Sequence, residues 1–417
     1  MLIARRYLGA MRRLGPDVGR YFMTIALVGF AVDGGVYSTL LNLFLNRLGY
    51  GPENIGLVHS VGALIFAFAS LPAGMLGERW GSRRIMLLGL GLLTVSATLL
   101  PLADVLPAAA RMPWLLTTIT GLYLGLALYF VNTAPLLLGF VASDQRNQAY
   151  ATQTALIALA AFLGSLAGGL LPALIGATIG VPLTEPAPYR YGLLVAGLAI
   201  IPALLAIAKT RPVAVRDAPA PAPAAGAPAS APASILGLLA LIALVRTLQV
   251  AGLAAMSTFF NLYLDTSLRI PTAQIGLLLA LGRLAGVPAA LGTAALSARF
   301  GNRSVVIGAS LATAIGMLPI TLIPHWAAAG LSLMAVFSLS SVRYAASMVY
   351  FLDLVPPSRR ATIAGVTEMS AGVCFTAMTF GGGYVIALLG YPTLFAIGAA
   401  LTALSALIFW AGFRRRG

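Results

Sequence analysis

The sequence predicts an all-α membrane protein of twelve transmembrane helices in two repeated halves. Three observations predict it. The 417 residues are 59% hydrophobic and only 9% charged, with a mean hydropathy of +0.94. No water-soluble fold needs that much apolar surface. Apolar runs of roughly 20–28 residues, each long enough to cross a bilayer, account for nearly the whole length. Arginine and lysine also collect on alternate loops, as the positive-inside rule demands of an even number of spans. A net charge of +15 would suggest nucleic acid in a soluble protein. Because these cations sit mostly in loops on one side, the charge is read as membrane orientation, with no nucleic-acid partner.

Residues 1–19 come first, with Arg5, Arg6, Arg12 and Arg13 among Leu2, Ile3, Tyr7, Leu8, Met11 and Leu14. They read as an amphipathic segment lying on the cytoplasmic face, not as a cleavable signal. The first two spans are expected over about 20–46 and 54–77. Between the second span and the third (85–103) lies Gly74-Met-Leu-Gly-Glu78-Arg79-Trp-Gly81-Ser-Arg83-Arg84. It reads as a seven-residue cytoplasmic turn. Gly74 would let two helices approach, Gly81 would supply the freedom for reversal, and Glu78 and Arg79 would cap or pair at the membrane surface.

This stretch resembles the signature loop of the major facilitator superfamily (MFS), with Glu78 where that family usually has Asp. The resemblance implies the MFS fold: twelve transmembrane helices as two pseudo-symmetric six-helix bundles, related by an axis along the membrane normal. It also implies a cavity lined by the first, fourth, seventh and tenth helices.

The remaining spans are expected over 114–141, 150–176, 190–209, 235–264, 274–297, 304–323, 328–355, 362–388 and 391–412. Domains follow: an N-terminal bundle over 20–210, an Ala/Pro-rich linker over 211–234, a C-terminal bundle over 235–412 and a basic tail over 413–417. Proline at the linker's density prevents helix and favours an extended spacer. Arg146, Lys209, Arg211, Arg216, Arg299, Arg303, Arg359, Arg360 and Arg414–Arg416 fall on the side of the termini. Arg47, Arg111, Arg190 and Arg269 fall opposite. Both termini are therefore expected in the cytoplasm, with the chain in the plasma (inner) membrane.

The halves repeat in their polar residues, which shared hydrophobicity does not imitate. Ser38-Thr39-Leu-Leu-Asn42 is echoed by Ser257-Thr258-Phe-Phe-Asn261, and Pro52 by Pro271. With one inserted residue, Arg79, Gly81 and Arg83 match Arg299, Gly301 and Arg303. Gly168-Gly169 answers Gly381-Gly382, and both runs, with Gly164 and Gly383, are expected to permit close packing.

Charges inside spans are costly, so each is a functional candidate. Asp33, Arg246 and Arg343 lie on the order of 16–20 Å from the cytoplasmic ends of their helices, on the first, seventh and tenth spans. Asp33 is expected to pair with Arg246 or Arg343 in at least one state and, being protonatable, would permit coupling to a proton gradient. Arg283 is expected to snorkel or pair structurally, Glu368 to satisfy a buried arginine or cap a gate, and Asp353 to tie Arg299 or Arg303. His59 is read as a polar packing residue. Tyr37, Asn42, Tyr129, Asn132, Gln249, Asn261 and Tyr344 are candidates to hydrogen-bond a solute; an interhelical bond worth about 1 kcal/mol is the alternative for each.

The expected function is a secondary active transporter of a small organic solute working by alternating access, working as a monomer in the lipid bilayer. Efflux is favoured only by the resemblance. The fifth span has Gly169 where the family's antiporter motif has proline, so antiport is not implied. No cofactor is expected: the chain has no P-loop, the single Cys374 forms no disulfide, and His59 and His325 are too separated for a metal centre. Neither His-Glu-x-x-His nor Gly-x-Ser-x-Gly occurs, so no enzyme is expected. An uncoupled facilitator and a transporter-like sensor or scaffold stay open.

Overall fold

The computed structural model describes residues 15–142, 145–212, 233–355 and 360–413. Residues 1–14, most of the Ala/Pro-rich linker, Arg359 and Arg414–Arg416 lie outside the described residues. Among those described, twelve helices are long and apolar enough to cross a membrane. They are α1 Pro16–Arg47, α2 Pro52–Trp80, α3 Ser82–Val105, α4 Ala108–Phe140, α5 Arg146–Ile179 and α6 Ala187–Ala208. The second set is α7 Ala233–Thr266, α8 Thr272–Phe300, α9 Asn302–Leu322, α10 Trp326–Asp353, α11 Arg360–Leu389 and α12 Tyr391–Gly412.

Proline sets several irregularities, because it removes a donor and crowds the preceding turn. The last turns of α3 tighten into a 3-10 segment beginning Leu100-Pro101, and α9 re-starts at Leu318-Pro319. These fall at matching places in the two halves. Outward faces carry large apolar side chains such as Leu71, Leu291 and Leu388, each more than 70% exposed. On a chain of this composition such a surface faces lipid.

The described residues pack as two compact units, one drawn from those up to 48 with those from 68 to 212, the other from 49–67 with those from 233 onward. Packing thus divides α2, whose first turns belong with the second unit. There a Cβ on Gly56 would run into the Thr379 carbonyl and the Gly383 backbone, and one on Gly383 into Pro52 and Glu53. Gly383 therefore does allow close approach, and Gly382 does so against Phe259 and Leu394, whereas Gly381 has open space around it. The second unit's core gathers Ile242, Val245, Val306, Ala346, Phe351 and Phe409 from α7, α9, α10 and α12.

The turn expected over residues 78–84 is shorter than predicted. Helix α2 runs through Glu78 and Arg79, both of good helix propensity, and Gly81 alone interrupts the chain at φ 89°. Gly301 does the same between α8 and α9 at φ 76°. A side chain is strained at such angles, so glycine is required at both turns. The arginine two residues on has the same task in each copy. Arg83 donates to the Ala208 carbonyl at 2.6 Å and to Thr210 Oγ1 at 3.2 Å, closing the end of α6. Arg303 donates to the Trp410 carbonyl at 3.3 Å near the end of α12. A cation at a helix C-terminus meets unsatisfied carbonyls and the negative end of the dipole.

Arg20 adds a bond to the Lys209 carbonyl at 2.8 Å, and buried Asp17 binds Arg20 at 3.0 Å and Arg211 at 2.7 Å. The α6 terminus is therefore held by three arginines and one carboxylate. Arg83→Gln should lower the thermal midpoint in detergent by a few degrees, about 1 kcal/mol for partly exposed charge-assisted bonds. An unchanged midpoint would contradict the capping role.

Candidate functional site

Asp33 stands where α1 stops being a helix. The span consists of Pro16–Ala31 and Val36–Arg47, with Val32–Gly35 non-helical between them. The continuous first span expected from the sequence is therefore corrected at this point. The cause is local: Asp-Gly-Gly is a turn sequence, and Gly34 takes φ 85°. The amides of Val32 and Asp33 both donate to the Val28 carbonyl, at 2.9 and 3.0 Å. Ser38 bridges the break, accepting from Gly34 N at 3.1 Å and donating to the Val32 carbonyl at 3.0 Å. Ser165 on α5 donates to the Gly34 carbonyl at 2.7 Å.

Helix α5 can lie against this break because it presents glycine to it. The ideal Cβ of Gly164 would fall 2.7 Å from the Gly35 Cα and collide with the Phe30 carbonyl; Gly168 faces Val36 and Thr39. The close packing expected of Gly164 and Gly168 thus has a definite partner, the broken stretch of α1. Asp33 itself is half-buried and within electrostatic reach of the Tyr123 and Tyr129 hydroxyls on α4.

Several candidates to hydrogen-bond a solute make the contacts between helices that were the alternative for them. Tyr37 is buried and donates its hydroxyl to the Ala97 carbonyl on α3. Asn132, also buried, donates to the Ala73 carbonyl of α2 at 3.2 Å and to its own Leu128 carbonyl at 3.0 Å. Its amide fills the space beside Gly77, where a Cβ would strike it. The close approach expected at Gly74 belongs to Gly77; Gly74 has only an ordinary 3.5 Å neighbour, Val131. Asn42 and Asn261, matched in the repeat, are both 3% exposed, and Asn261 Oδ1 accepts from Leu262 N at 2.9 Å. Buried Tyr129 packs edge-on to Phe130. His59 is half-buried on α2.

The second unit holds a separate charged group. Arg246 of α7 lies over the Tyr344 ring, 5.0 Å from its centroid. Tyr344 donates its hydroxyl to Glu368 of α11 at 3.1 Å. Glu368 therefore reaches Arg246 through the tyrosine, as an exposed carboxylate outside salt-bridge distance. Arg343 of α10 is 1% exposed and donates to Ser340 at 3.1 Å and Thr313 at 3.4 Å. It lies near enough to Arg246 for the two cations to repel. Gln249, one turn along α7 from Arg246, is fully buried. Arg283 stacks on Phe337 at 5.5 Å. The tie expected of Asp353 is not made: its side chain is exposed, and among the described residues it pairs with neither Arg299 nor Arg303. Arg299 lies over its neighbour Phe300, and Arg303 caps α12. Asp33 belongs to the first unit and Arg246 and Arg343 to the second, so each stands here with its own neighbours.

A family model described as the Major Facilitator Superfamily matches residues 23–340 and 242–417. The chain belongs to the major facilitator superfamily. Among solved structures it is similar to the nucleoside transporter NupG at 15% identity and a TM-score of 0.71, over 95% of this chain and 98% of that one. It is also similar to the xylose transporter XylE from E. coli at 12% identity and 0.70, over 95% and 96%. A bacterial homologue of the iron transporter ferroportin aligns at 16% identity and 0.66, over 96% and 98%. At such identities the likeness shows the shared fold. No curated protein sequence matches.

As a superfamily member the chain is a multi-pass membrane protein of transporter fold. Its signature loop places Glu78, Arg79 and Arg84 on exposed surface beside Gly81, with Arg83 turned to the α6 terminus. Sequence reasoning missed Gly34, Gly35, Ser38 and Ser165 as the parts that shape the Asp33 break. An Asp-Gly-Gly run inside an apolar span was the available signal. It also missed Tyr123, Ser340 and Thr313, for which the sequence carries no comparable mark.

Proposed function

We propose that the chain is a secondary active transporter that moves a small organic solute by alternating access, with Asp33 as its proton-coupling group. The observation that carries this reading is a half-buried carboxylate on a non-helical turn of α1, within electrostatic reach of two tyrosine hydroxyls. Backbone freed from helical bonding within a span is tolerated where it lines a cavity or is buried in protein. A carboxylate held there changes the local charge by a full unit when it takes up a proton. That shifts the balance between two conformations that hold the carboxylate differently.

The loop charges support an orientation with both termini in the cytoplasm and placement in the plasma membrane. An efflux direction rests on superfamily analogy alone. The chain's chemistry is transport, with no bond made or broken in the solute. Reconstituted in liposomes with a trapped pH dye, the protein should acidify or alkalinise the lumen when its solute is added. Asp33→Asn, expressed at normal levels, should lose that coupled proton movement by roughly 100-fold, the scale of a lost proton-transfer group. It should still exchange solute across the membrane without a gradient. Full coupled activity in Asp33→Asn would overturn the assignment.

A further inference from the structure

Arg343 presents a physical problem that proton coupling at Asp33 does not solve. A guanidinium cannot shed its proton to escape burial, so a buried arginine needs an anion or a full set of acceptors. Arg343 is 1% exposed, and among the described residues it forms no salt bridge. Its hydrogen bonds go to two neutral hydroxyls, and its Nε has no protein partner. The charge nearest in effect is a second cation, Arg246, itself 7% exposed, whose Nε is also unpartnered. Glu368, the carboxylate on α11, is exposed and engaged by Tyr344.

The surrounding helix faces repeat the pattern. Gln249 is fully buried, yet neither its amide oxygen nor its amide nitrogen has a protein partner. On α10, Ser347 lies one turn from Arg343, is 2% exposed, and its hydroxyl is unpartnered. On α9, Ser310 lies one turn from Thr313, is fully buried, and is unpartnered as well. Buried polar groups without partners each cost about 1–3 kcal/mol, and proteins rarely gather them. Here each lies one turn along its own helix from a repelling cation or from the Thr313 that binds one, and together with those cations they offer donors: two guanidiniums, one amide and two hydroxyls.

We propose that facing surfaces of α7, α9 and α10 form a pocket for a compact oxyanion, a carboxylate or phosphate group carried by the transported solute. This rests on the transport reading above and specifies its substrate class. The guanidinium fork matches both groups, giving paired N–H bonds to two oxygens of one ligand. The anion would cancel the repulsion between Arg246 and Arg343, and the Gln249 amide with the two serine hydroxyls would take its remaining lone pairs. Without the anion the pocket stores an unfavourable charge, which is how binding strength is concentrated on an anionic solute.

Purified full-length protein in detergent, without any gradient, tests this separately from transport. Thermal midpoints are measured against inorganic phosphate, benzoate and the neutral isostere benzamide at constant ionic strength. Phosphate or benzoate should raise the midpoint saturably and benzamide should not. Arg343→Met should melt several degrees higher than the native protein without ligand, because it removes a buried unpaired cation, and should lose the anion response. Arg246→Met should lose it too, which covers a failure of the first variant to fold. A native protein with no saturable response to either oxyanion, or variants that respond as the native chain does, would overturn the proposal. Full coupled uptake in Asp33→Asn together with a native anion response would overturn the coupling assignment and leave this pocket standing; coupled uptake lost in Asp33→Asn with no anion response in the native protein would leave the coupling assignment standing and overturn the pocket.

Discussion

Gly35→Ala is expected to leave little folded protein. Gly35 sits at the re-start of α1 with φ −92° and ψ −134°. A Cβ there would collide with the Phe30 carbonyl and lie 2.7 Å from the Gly29 oxygen. These are backbone atoms, so no rotamer change relieves them. Retreat is blocked on the other side, because Gly164 of α5 already approaches the Gly35 Cα as closely as a backbone allows. The break must therefore be rebuilt, at a cost of about 3 kcal/mol or more. Gly34→Ala makes a useful comparison. It meets the left-handed penalty of roughly 1–2 kcal/mol at φ 85° and should be the milder of the two. Thermal unfolding of both variants in detergent checks the order, and a Gly35→Ala midpoint at or above that of Gly34→Ala would sink the argument. Because Asp33 adjoins the same turn, any surviving Gly35→Ala protein should also show disturbed proton coupling.

The contrast between α1 and α7 shows what a sequence can and cannot convey about such a site. The matched stretches Ser38–Asn42 and Ser257–Asn261 put the two helices in register. By that register Asp33-Gly34-Gly35 corresponds to Gly252-Leu253-Ala254, and α7 runs unbroken through it. The difference was written in two glycines. An apolar run long enough to span nevertheless reads as one helix, and hydrophobicity hides an internal turn. Turns at Gly81 and Gly301, and the arginines following them, were legible because their chemistry is local and repeated.

Side-chain direction was not legible. In a membrane helix both the lipid face and the bundle face are apolar, so the amphipathic contrast that orients a soluble helix is weak. Tyr37 and Asn132 sit on the expected helices yet turn toward neighbours, and the close approach falls at Gly77 in place of Gly74, one turn away. Charges were the exception. Arg246, Arg343 and Glu368 stood out in the sequence because burial makes them expensive, and Arg246 and Arg343 do come together in the second unit. Their neighbours Ser310, Ser340, Thr313 and Ser347 are ordinary small polar residues in any membrane helix, and only the packing of α9 on α10 gives them meaning.

The second large effect is expected where α3 meets α4. The two helices touch backbone to backbone: a Cβ on Gly89 would lie 2.8 Å from the Gly125 carbonyl, the Leu128 Cβ and the Tyr129 amide. One on Gly125 would lie 2.7 Å from the Leu93 amide and 2.8 Å from the Gly89 carbonyl. Gly89→Ala or Gly125→Ala must push the helices apart along this seam. The expected loss is about 3 kcal/mol, since interfaces held by van der Waals contact weaken along their whole length when separated. Gly91, two residues from Gly89, faces open space, so Gly91→Ala should stabilise by about 0.5–1 kcal/mol through helix propensity alone. Opposite signs from neighbouring glycines, read as thermal midpoints, are a strict test; equal losses at both would show that the seam is not the cause. The consequence reaches the site as well. Helix α4 holds Tyr123 and Tyr129 within electrostatic reach of the Asp33 carboxylate and brings Asn132 to α2, so displacing α4 changes the electrostatic setting of the proposed protonation site. Protein recovered from Gly125→Ala should therefore lose proton-coupled transport more completely than its residual stability would explain, whereas Arg83→Gln, which loosens only the α6 terminus, should lose stability and transport in proportion.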